Sequence, residues 1–484
     1  MIGDLKPYPA MKDSGVEWLG EVPEHWEVSA LRRKLKRFDG IKIGPFGSQL
    51  KLDQMSPAGK KVYGQANVIR GDFSYGTKFI DDVKFAELRA CEIKPGDLVL
   101  TMMGTSGRCA VVPADAAPGI MDSHLLRVRL AESAAPLFVA LLIDEGPYVK
   151  EQVKIAGKGS IMHGLNSAIV KDLTLALPPL PEQAAIVRYL DHVDRRVRRL
   201  TRAKRKLIAL LTEQKQAIIH RAVTRGLDPD VPLKDSGVEW LGEVPEHWEV
   251  LKLKRLGEVR IGLTYSPSEI TDESGTLVLR ASNVRCGNVV AADDVYVDKA
   301  VPKMLLVDEG DILVCVRSGS RSLVGKSARI PREYQGVTFG AFMSLLRSPL
   351  NPFLIWVLHS NMFSQVMAQF ETSTINQLTQ TDLRNLDIPV PTAQEQAAIV
   401  EYLDRSTADI DTTITRAERE IELLNEYRTR LIADVVTGKF DVRDAAAALP
   451  EIDPLAAEED VEEDDQHSEE NEVLLDPSDE EALA

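Results

Sequence analysis

Two long stretches of the chain place an apolar residue at every third or fourth position, which is the spacing of one face of an α-helix. Each stretch follows a proline-rich turn, LPPLPEQ at 177–183 and IPVPTAQEQ at 388–396. Proline is favoured where a helix begins, and acidic residues such as Glu182 are favoured in its first turn. The pattern therefore predicts two helices of about forty residues, ending at Arg225 and Thr437, each about 60 Å long at 1.5 Å per residue.

The apolar positions of these helices form a heptad-like seam, the pattern of a coiled coil. The predicted seam residues are Ile186, Leu190, Val193, Val197, Leu200, Leu207, Leu211 and Ile218 in the first helix and Ile399, Leu403, Ile410, Leu424 and Leu431 in the second. Because helices of this length need a partner to cover the seam, we expect the two to pair with each other. A large globular segment separates them along the chain, which favours an antiparallel pair. A parallel pair and pairing with another chain are the alternatives.

Outside the two helices, the apolar runs are shorter and are broken by Gly and Ser. KPGDLVLTMMGTSGRCAVVP at 94–113 and DEGDILVCVRSGSRSLVGKSARIP at 308–331 each contain a strand-like run, a Gly/Ser loop and a second run, the pattern of a β-hairpin. The two stretches share the same order of apolar runs and loops but differ in their amino-acid residues. We therefore predict two β-rich domains that share a scaffold and differ in their loops.

One phrase, KDSGVEWLGEVPEHWEV, occurs at 12–28 and again, identically, at 234–250. A second repeat, EQAAIV, lies at 182–187 and 395–400, at the start of each predicted helix. The chain is therefore a tandem duplication of roughly 215 residues per half. The phrase holds four of the five tryptophans, which either plug an apolar pocket or dock a partner on equivalent surfaces. These tryptophans are Trp18, Trp26, Trp240 and Trp248.

The predicted fold class is mixed α+β, with two tandem β-rich domains, two long helices in an antiparallel coiled coil, and pseudo-twofold symmetry. The predicted boundaries are an N-terminal segment at 1–28, a first domain at 29–178, a central helix at 179–227, a linker at 228–250, a second domain at 251–390, a C-terminal helix at 391–440 and a disordered acidic tail at 441–484.

The formal net charge of −16 disfavours a nucleic-acid partner until its location is considered. Residues 451–484 hold sixteen acidic residues and no Lys or Arg, which leaves 58 acidic against 58 basic residues in 1–450. The body is therefore neutral, and the tail is predicted to be disordered because it has few apolar residues. The tail serves either to keep the protein soluble or to compete with DNA for a basic surface.

The chain offers little that is typical of an enzyme. GSRSLVGKS at 319–327 has five residues between its glycines where a phosphate-binding loop needs four, so a hairpin loop fits better. The four cysteines and eight histidines lack paired spacing, which argues against disulfides and metal sites. No apolar leader or membrane-spanning run is present in the sequence, so we expect a cytoplasmic protein. The chain is predicted to bind rather than to catalyse.

The loops of the two predicted domains are rich in residue types that contact DNA phosphates and base edges. The candidates in the first domain are Lys42, Ser48, Gln49, Lys60, Lys61, Asn67, Arg70, Ser106, Arg108, His124, Lys158 and His163. The candidates in the second domain are Tyr265, Arg280, Asn283, Arg285, Arg317, Ser318, Ser320, Arg321, Lys326, Asn376 and Gln377. Taken singly, each of them is better explained as a solvated surface residue. RSGSR at 317–321 stands out, because two arginines on a hairpin tip can reach into a groove.

The first helix also carries a basic stretch, DHVDRRVRRLTRAKRK at 191–206. Three interpretations fit this stretch: contact with DNA phosphates, pairing with acidic groups of a partner, or a plain solvated face.

Together these features resemble the DNA-specificity subunit of type I restriction–modification enzymes. The resemblance rests on the tandem halves, GPFGSQL at 44–50, the GDLVLTMMGTSG and GDILVCVRSGS hairpins, TSTINQLTQTDL at 372–383, the PxPxxxEQ turn before a long helix, and PEHWEV before each variable segment. It covers nearly the whole chain except the acidic tail. GKGSIMHGLN at 157–166 departs from its counterpart in the second half.

The resemblance implies two target recognition domains, each reading one half of a split, asymmetric DNA site, with the helices setting the spacer. It implies double-stranded DNA, two methyltransferase subunits and restriction (translocase) subunits as partners. S-adenosylmethionine, for adenine methylation, and ATP and Mg²⁺ would belong to those partners, and this chain would hold no cofactor and no catalytic residue. The rival interpretations are a coiled-coil adaptor that does not contact DNA and an enzyme that acts alone.

Overall fold

The computed structural model describes residues 5–46, 49–105, 107–157, 165–238, 241–285, 287–318, 323–361 and 377–450. The predicted disorder of residues 451–484 lies outside the described residues, as do most of TSTINQL and GKGSIMHGLN. No helix within the described ranges is both long enough and apolar enough to cross a membrane.

Two compact units make up the chain. Unit 1 comprises Met1–Ala203 and Glu420–Ala484, and unit 2 comprises Lys204–Arg419. Each unit therefore combines one β-rich domain with part of both long helices. The central helix spans Leu180–Arg225 and the C-terminal helix spans Ala393–Val436, close to the predicted bounds.

The β-rich domain of unit 1 is built on two four-stranded sheets. One has the strand order Phe79–Ile80, Lys60–Tyr63, Gly119–Met121, Glu92–Ile93, and the other has the order Ile41–Ile43, Leu125–Val128, Leu98–Thr101, Cys109–Val111. Two further pairs join Met11–Asp13 to Glu21–Pro23 and Glu27–Ala30 to Thr174–Leu177. The shorter α-helices of unit 1 are Gln65–Arg70, Asp82–Glu87, Pro136–Glu145, Pro147–Gly157, Ser167–Asp172 and Arg443–Ala447.

The β-rich domain of unit 2 repeats this plan. One four-stranded sheet has the strand order Glu258–Ile261, Met343–Arg347, Ile312–Cys315, Ser327–Arg329. The other has the order Ile270–Thr271, Val295–Val297, Thr276–Leu279, Thr338–Phe339. Two-stranded pairs join Leu233–Asp235 to Glu243–Pro245, Glu249–Lys252 to Asp387–Val390, and Val284–Arg285 to Asn288–Val289. The shorter α-helices are Asn351–Leu358 and Gln380–Arg384.

Both predicted hairpins are confirmed. Leu98–Thr101 pairs antiparallel with Cys109–Val111, and Ile312–Cys315 pairs antiparallel with Ser327–Arg329. All four residues of each first strand are buried, because the strand lies inside its sheet with a neighbour on both edges. The aliphatic runs of the sequence thus form the centre of each sheet.

The strand that opens each β-rich domain pairs with the strand that closes it. In unit 1, Glu27 lies opposite Leu177 and Ala30 lies opposite Thr174. In unit 2, Glu249 lies opposite Val390 and Lys252 lies opposite Asp387. Because the opening strand follows PEHW and the closing strand precedes the proline-rich turn, this pairing brings the repeated phrase to the start of a long helix.

The two long helices pack antiparallel in each unit. In unit 1, Ile186 at the start of the central helix and Val435 at the end of the C-terminal helix belong to one core. In unit 2, Val223 at the end of the central helix and Leu403 at the start of the C-terminal helix belong to one core. Since the first turns of one helix meet the last turns of the other, the antiparallel prediction is confirmed. A charged contact supports each pair: Arg428 with Asp194 in unit 1 and Lys215 with Asp411 in unit 2.

The seam prediction is wrong for Leu200 and Leu207, which are each 41% exposed. On the central helix, the stripe of buried and half-buried residues runs from Ile186 to Ala222 and passes through Thr201 and Ile208. Its successive members are three or four residues apart, so that ten intervals cover 36 residues. This average of about 3.6 residues is the period of a straight α-helix, whereas a strict heptad repeat drifts from it by about 20° per heptad. The buried residues of the stripe are Ile186, Leu190, Val197, Thr201, Ile219 and Ala222, and the half-buried ones include Val193, Lys204, Ile208, Leu211, Lys215 and Ile218. In the C-terminal helix, Ile399, Leu403, Ile410 and Leu431 are buried and Leu424 is half-buried.

The folded body extends beyond the tail boundary predicted at residue 441. Asp441 N donates to Lys6 O at 2.8 Å, and the short helix Arg443–Ala447 follows. Val442 and Ala446 are 0% and 2% exposed and belong to the core of unit 1. The excess of acidic residues begins only at 451, so residues 441–450 belong to the folded body and not to the acidic segment.

Candidate functional site

The repeated phrase and the repeated EQAAIV motif meet at a buried carboxylate in unit 1. Glu182 Oε1 accepts hydrogen bonds from Trp26 Nε1 at 2.8 Å and from the Tyr8 hydroxyl at 2.6 Å. His25 Nε2 lies 2.7 Å from Glu182 Oε2. The Glu182 side chain is only 4% exposed, so these partners replace the water that a carboxylate requires. We call this arrangement the phrase–helix junction.

Unit 2 forms the same junction around Glu395. Its Oε1 accepts from Trp248 Nε1 at 3.1 Å and lies 2.9 Å from His247 Nε2. Its Oε2 accepts from Thr392 Oγ1 at 2.7 Å and from Thr392 N at 3.0 Å, which caps the first turn of the helix. Thr392 thus supplies the hydroxyl that Tyr8 supplies in unit 1.

The two carboxylates differ in exposure, and their partners shift pKa values. Burial raises the pKa of Glu395, but the hydrogen bonds from Thr392, Trp248 and His247 outweigh it and lower that pKa to about 2. Burial and the hydrogen bond to Glu182 raise the pKa of the Tyr8 hydroxyl. The junction of unit 2 therefore holds Glu395 ionised at neutral pH. Both glutamates are fixed by side chains from a distant part of the sequence.

Each junction is closed by the glycine that ends a long helix. Gly438 has φ of +76°, and a Cβ there would lie 2.3 Å from Pro23 and 3.3 Å from the Trp26 ring. Gly226 has φ of +74°, and a Cβ there would lie 3.2 Å from the Trp248 ring. A left-handed backbone and the close approach of a ring both favour glycine.

This geometry corrects the docking hypothesis for Trp26 and Trp248. Both are 0% exposed, so neither ring can be presented to a partner, and the plug interpretation holds for them. Trp18 is 45% exposed and keeps its place as a docking candidate. Trp240 lies outside the described residues.

Three chain segments meet beside the central strand of each β-rich domain, at a place we call the loop junction. In unit 2, Val316 N donates to Phe342 O at 3.0 Å and Leu378 N donates to Val316 O at 2.8 Å. The Arg317 guanidinium lies over the Phe342 ring, 5.1 Å from its centroid, and Arg317 bridges to Gln377 through the backbone. Phe342 is 57% exposed. The structure thus brings together two predicted DNA contacts: Arg317, which lies over an exposed aromatic ring, and Gln377, which pairs with Arg317 through the backbone.

Unit 1 has the same loop junction with different side chains. Met102 N donates to His124 O at 2.9 Å, and Leu165 N donates to Met102 O at 2.9 Å. Met103, which is 43% exposed, occupies the position of Arg317, and His124 occupies that of Phe342. The sequence analysis missed Met103 and Phe342, which lie in Gly-containing loops next to the strands Leu98–Thr101 and Met343–Arg347.

The remaining candidates are dispersed. Asn67 and Asn283 are 4% and 0% exposed and use their amides to brace loops, for example Asn67 Nδ2 to Tyr75 O at 2.8 Å and Asn283 Nδ2 to Asp294 Oδ1 at 2.9 Å. Lys61 is 5% exposed and donates to Ser74 O. We leave these three interior residues out of the proposed interface.

Other candidates lie at or near the surface of their domains. Arg70 lies over the Tyr75 ring at 4.1 Å, and Arg108 lies 3.2 Å from Asp144. Arg280 donates to Asp293 O. Lys42, Gln49, Arg285 and Lys326 are exposed, and Lys60, Tyr265 and Ser318 are half-buried. Ser48, Ser106, Lys158, His163, Ser320, Arg321 and Asn376 lie outside the described residues.

Within the described ranges, no group of three His, Cys, Asp or Glu side chains could hold a metal ion. The cysteines described there, Cys91, Cys109 and Cys315, are free, and burial raises the pKa of each thiol. A buried thiol with a raised pKa is a poor nucleophile, so these cysteines serve as core residues.

Comparison with known proteins gives a consistent result. A family model described as "Type I restriction modification DNA specificity domain" matches residues 54–210 and 245–423. The MjaVIII specificity subunit of a type I restriction enzyme from Methanocaldococcus jannaschii is 26% identical over 444 residues, covering 87% of this chain and 94% of that protein. The EcoKI specificity subunit from Escherichia coli K12 is 28% identical over 207 residues, covering 41% of this chain and 44% of that protein.

A solved structure shares the fold. It comes from work described as the structural basis of complex assembly and conformational transition of the type I R-M system. It is 18% identical, covers 86% of this chain and 98% of that chain, and superposes with a TM-score of 0.62.

Proposed function

Because the chain belongs to the type I restriction–modification DNA specificity family, we propose that residues 29–178 and 251–390 are two target recognition domains, each reading one half of a bipartite, asymmetric DNA site. As a specificity subunit, the chain selects the DNA target and is not itself the enzyme. Its partners would be double-stranded DNA, two methyltransferase subunits and restriction (translocase) subunits. S-adenosylmethionine, ATP and Mg²⁺ would be bound by those partners.

The loop junction is the observation that carries this proposal. The same backbone hydrogen bonds recur in both domains, while the side chains there differ. One domain has the exposed Arg317, Phe342 and Gln377, and the other has the exposed Met103 and the half-buried His124. A constant scaffold with variable side chains is what two readers of different half-sites require. Sequence is read by side-chain donors and acceptors at base edges, whereas contacts to phosphates only position the protein.

Arg317 is well placed to read a base or to bind a phosphate. Stacking on Phe342 uses the face of the guanidinium and leaves its N–H donors at the edge, where they can reach a planar acceptor pair. Arginine bound to the O6 and N7 atoms of guanine is the commonest specific contact in the major groove. Gln377, adjacent through the backbone bridge, adds a donor and an acceptor.

Exchanging one recognition domain tests the assignment. Residues 251–390 are replaced by the corresponding segment of another specificity subunit, and the complex with its methyltransferase partner is used to modify DNA. We expect one half of the methylated site to change and the other half to stay, as read by methylation-sensitive sequencing. The reciprocal exchange of residues 29–178 is the matched control and should alter only the other half. An unchanged site in both exchanges would contradict the proposal.

We further propose that the long helices set the number of base pairs between the half-sites. The central helix connects the two recognition domains along the chain and is 46 residues long, about 69 Å at 1.5 Å per residue.

Removal of seven residues from the middle of both long helices tests this spacer role. The deletion shortens each helix by about 10 Å, on the order of three base pairs at 3.4 Å each. We expect the spacer in the modified site to shorten or site-specific binding to fail, as measured by sequencing and by binding to duplexes of graded spacer length. As a control, replacing the same seven residues by a helical segment of equal length should preserve the spacer. Full affinity for the original spacer after the deletion would rule the role out.

A further inference from the structure

The central helix carries a cluster of arginines within unit 1. We call Arg195, Arg196, Arg198, Arg199 and Arg202 the arginine stretch. Arg195, Arg198, Arg199 and Arg202 are spaced by three and four residues, which places them on one face of the helix. Arg196, Arg198 and Arg199 are exposed.

Carboxylates of the central helix offset only part of this charge. Arg195 Nη2 lies 2.7 Å from Asp191 Oδ2, and Arg198 Nη2 lies 2.7 Å from Asp194 Oδ2. Asp194 is shared with Arg428 of the C-terminal helix. Between residues 188 and 199 the helix has five arginines and two aspartates, so this segment of the helix carries an excess of three positive charges.

Two carboxylates of the C-terminal helix, Glu426 and Asp434, are engaged by other cations. Glu426 Oε1 lies 2.7 Å from Arg430 Nη2, and Asp434 Oδ1 lies 2.8 Å from Lys439 Nζ. Both carboxylates therefore pair with cations other than those of the arginine stretch.

The last described residues of the chain are held near this cluster on the central helix. Arg188 Nη2 donates to Leu449 O at 2.8 Å and lies 3.3 Å from Pro450 O, so the last described residues are tied to the central helix. The preceding segment is held by Arg443, which pairs with Asp441 and lies 5.6 Å from the Tyr8 ring centroid. Arg188 is two helical turns before Arg195, or about 10 Å at 1.5 Å per residue.

Residues 451–484 are matched to the cluster in charge and in reach. They contain sixteen acidic residues and no Lys or Arg. Thirty-four residues can span at most about 110 Å at 3.3 Å per residue, far more than the distance to Arg202.

We propose that residues 451–484 bind the arginine stretch of the same chain and thereby compete with DNA phosphates for it. Single exposed ion pairs are weak because water and salt screen them, so the contact is reversible. Attachment at Pro450 raises the effective concentration of the acidic segment to about the millimolar range, which compensates for weak individual pairs. The competition with DNA rests on the proposed function, whereas the contact within the chain does not.

Site-specific photo-crosslinking in the full chain tests the contact directly. A photoreactive amino acid is placed at Arg199, and at the exposed Glu213 of the same helix as a matched control. No Lys or Arg follows Arg443, so trypsin releases 444–484 as one peptide whose crosslinks are identified by mass. We expect crosslinks to this peptide to be severalfold more frequent from position 199 than from 213 at low salt, and to fall at about 0.5 M salt, where screening is strong.

A variant in which the acidic residues of 451–484 are replaced by Asn and Gln should lose the preference for position 199. Equal crosslinking from both positions, or a preference that survives this neutralisation, would overturn the inference.

Binding to a duplex without a target site tests the competition. We expect neutralisation of the tail to raise affinity about tenfold at low salt and to have little effect at high salt. In a chain with Arg195, Arg198 and Arg199 replaced by Gln, neutralising the tail should leave affinity unchanged. An equal gain in that background would show a general charge effect and overturn the inference. If no variant binds DNA, the proposed function fails, and the crosslinking result alone decides whether the tail binds the arginine stretch.

Discussion

Replacing Trp26 by alanine is expected to lower the free energy of unfolding of unit 1 by about 3–5 kcal/mol, the usual loss for a buried aromatic residue. Trp26 is 0% exposed, and its ring lies close to the backbone at Gly438, so the surrounding atoms cannot easily close the resulting cavity. Its indole N–H also donates to Glu182 at 2.8 Å, and this buried carboxylate would lose a donor. Urea denaturation followed by far-UV circular dichroism measures the change.

The Trp18→Ala variant is the matched control, because it removes the same side chain from the same repeated phrase. Trp18 is 45% exposed, so we expect its loss to cost less than about 1 kcal/mol. If both variants were destabilised equally, the distinction between plug and surface residue would be wrong. A Trp18→Ala chain that folds normally but loses a methyltransferase partner in co-purification would support a docking role for Trp18.

Replacing Glu182 by leucine is expected to destabilise unit 1 by about 3–5 kcal/mol, because it removes one partner from a buried charged cluster. The Tyr8 hydroxyl and the Trp26 indole N–H would lose their acceptor while remaining buried. Leucine also removes the acidic group from the first turn of the central helix. Thermal denaturation, with limited proteolysis to locate the loosened unit, measures this effect.

Glu395→Leu makes the same change in unit 2, where we expect a smaller loss of about 1–2 kcal/mol. The Glu395 side chain is 33% exposed, so water can replace part of what is lost. The hydrogen bond that Glu395 accepts from Trp248 Nε1 is also longer, at 3.1 Å. A larger loss for Glu395→Leu than for Glu182→Leu would show that burial does not control the strength of these junctions.

The long helices were predictable because their signals are local. The apolar period, the preceding prolines and the acidic first turn all lie within a few residues of the elements they define. The central helix ends at Arg225, as predicted, and the C-terminal helix ends at Val436, one residue before the predicted Thr437. The hairpins at Leu98–Val111 and Ile312–Arg329 were predictable for the same reason.

The seam was less predictable. A fixed heptad repeat assigned Leu200 and Leu207 to the interior, but a straight helix presents Thr201 and Ile208 there instead. Near the middle of the helix the accumulated drift is large enough to turn a leucine outward. The sequence of a helix does not by itself show whether the helix supercoils, because supercoiling depends on how the partner helix packs against it.

The phrase–helix junction shows what the sequence left open. The identical phrase was evident, as was the identical EQAAIV, but 156 residues separate Trp26 from Glu182. In each unit the repeated phrase contacts the repeated EQAAIV motif through a hydrogen bond from a tryptophan to a glutamate. Both repeats are therefore constrained, because a change of the tryptophan or the glutamate alone would break this contact. For the candidate DNA contacts, the residue type was misleading. Asn67 and Asn283 are of a type that contacts DNA, but in the structure they are buried and brace loops.

The sequence by itself determined the duplication, the two helices, the central strands of each domain and the resemblance that indicates a DNA-specificity subunit, because each depends on short-range pattern or on direct repetition. Only the tertiary structure decided which tryptophans are buried, which leucines face inward and which loop residues share the loop junction. These depend on contacts between residues far apart in the chain, and burial is a property of the packed neighbourhood rather than of the residue type.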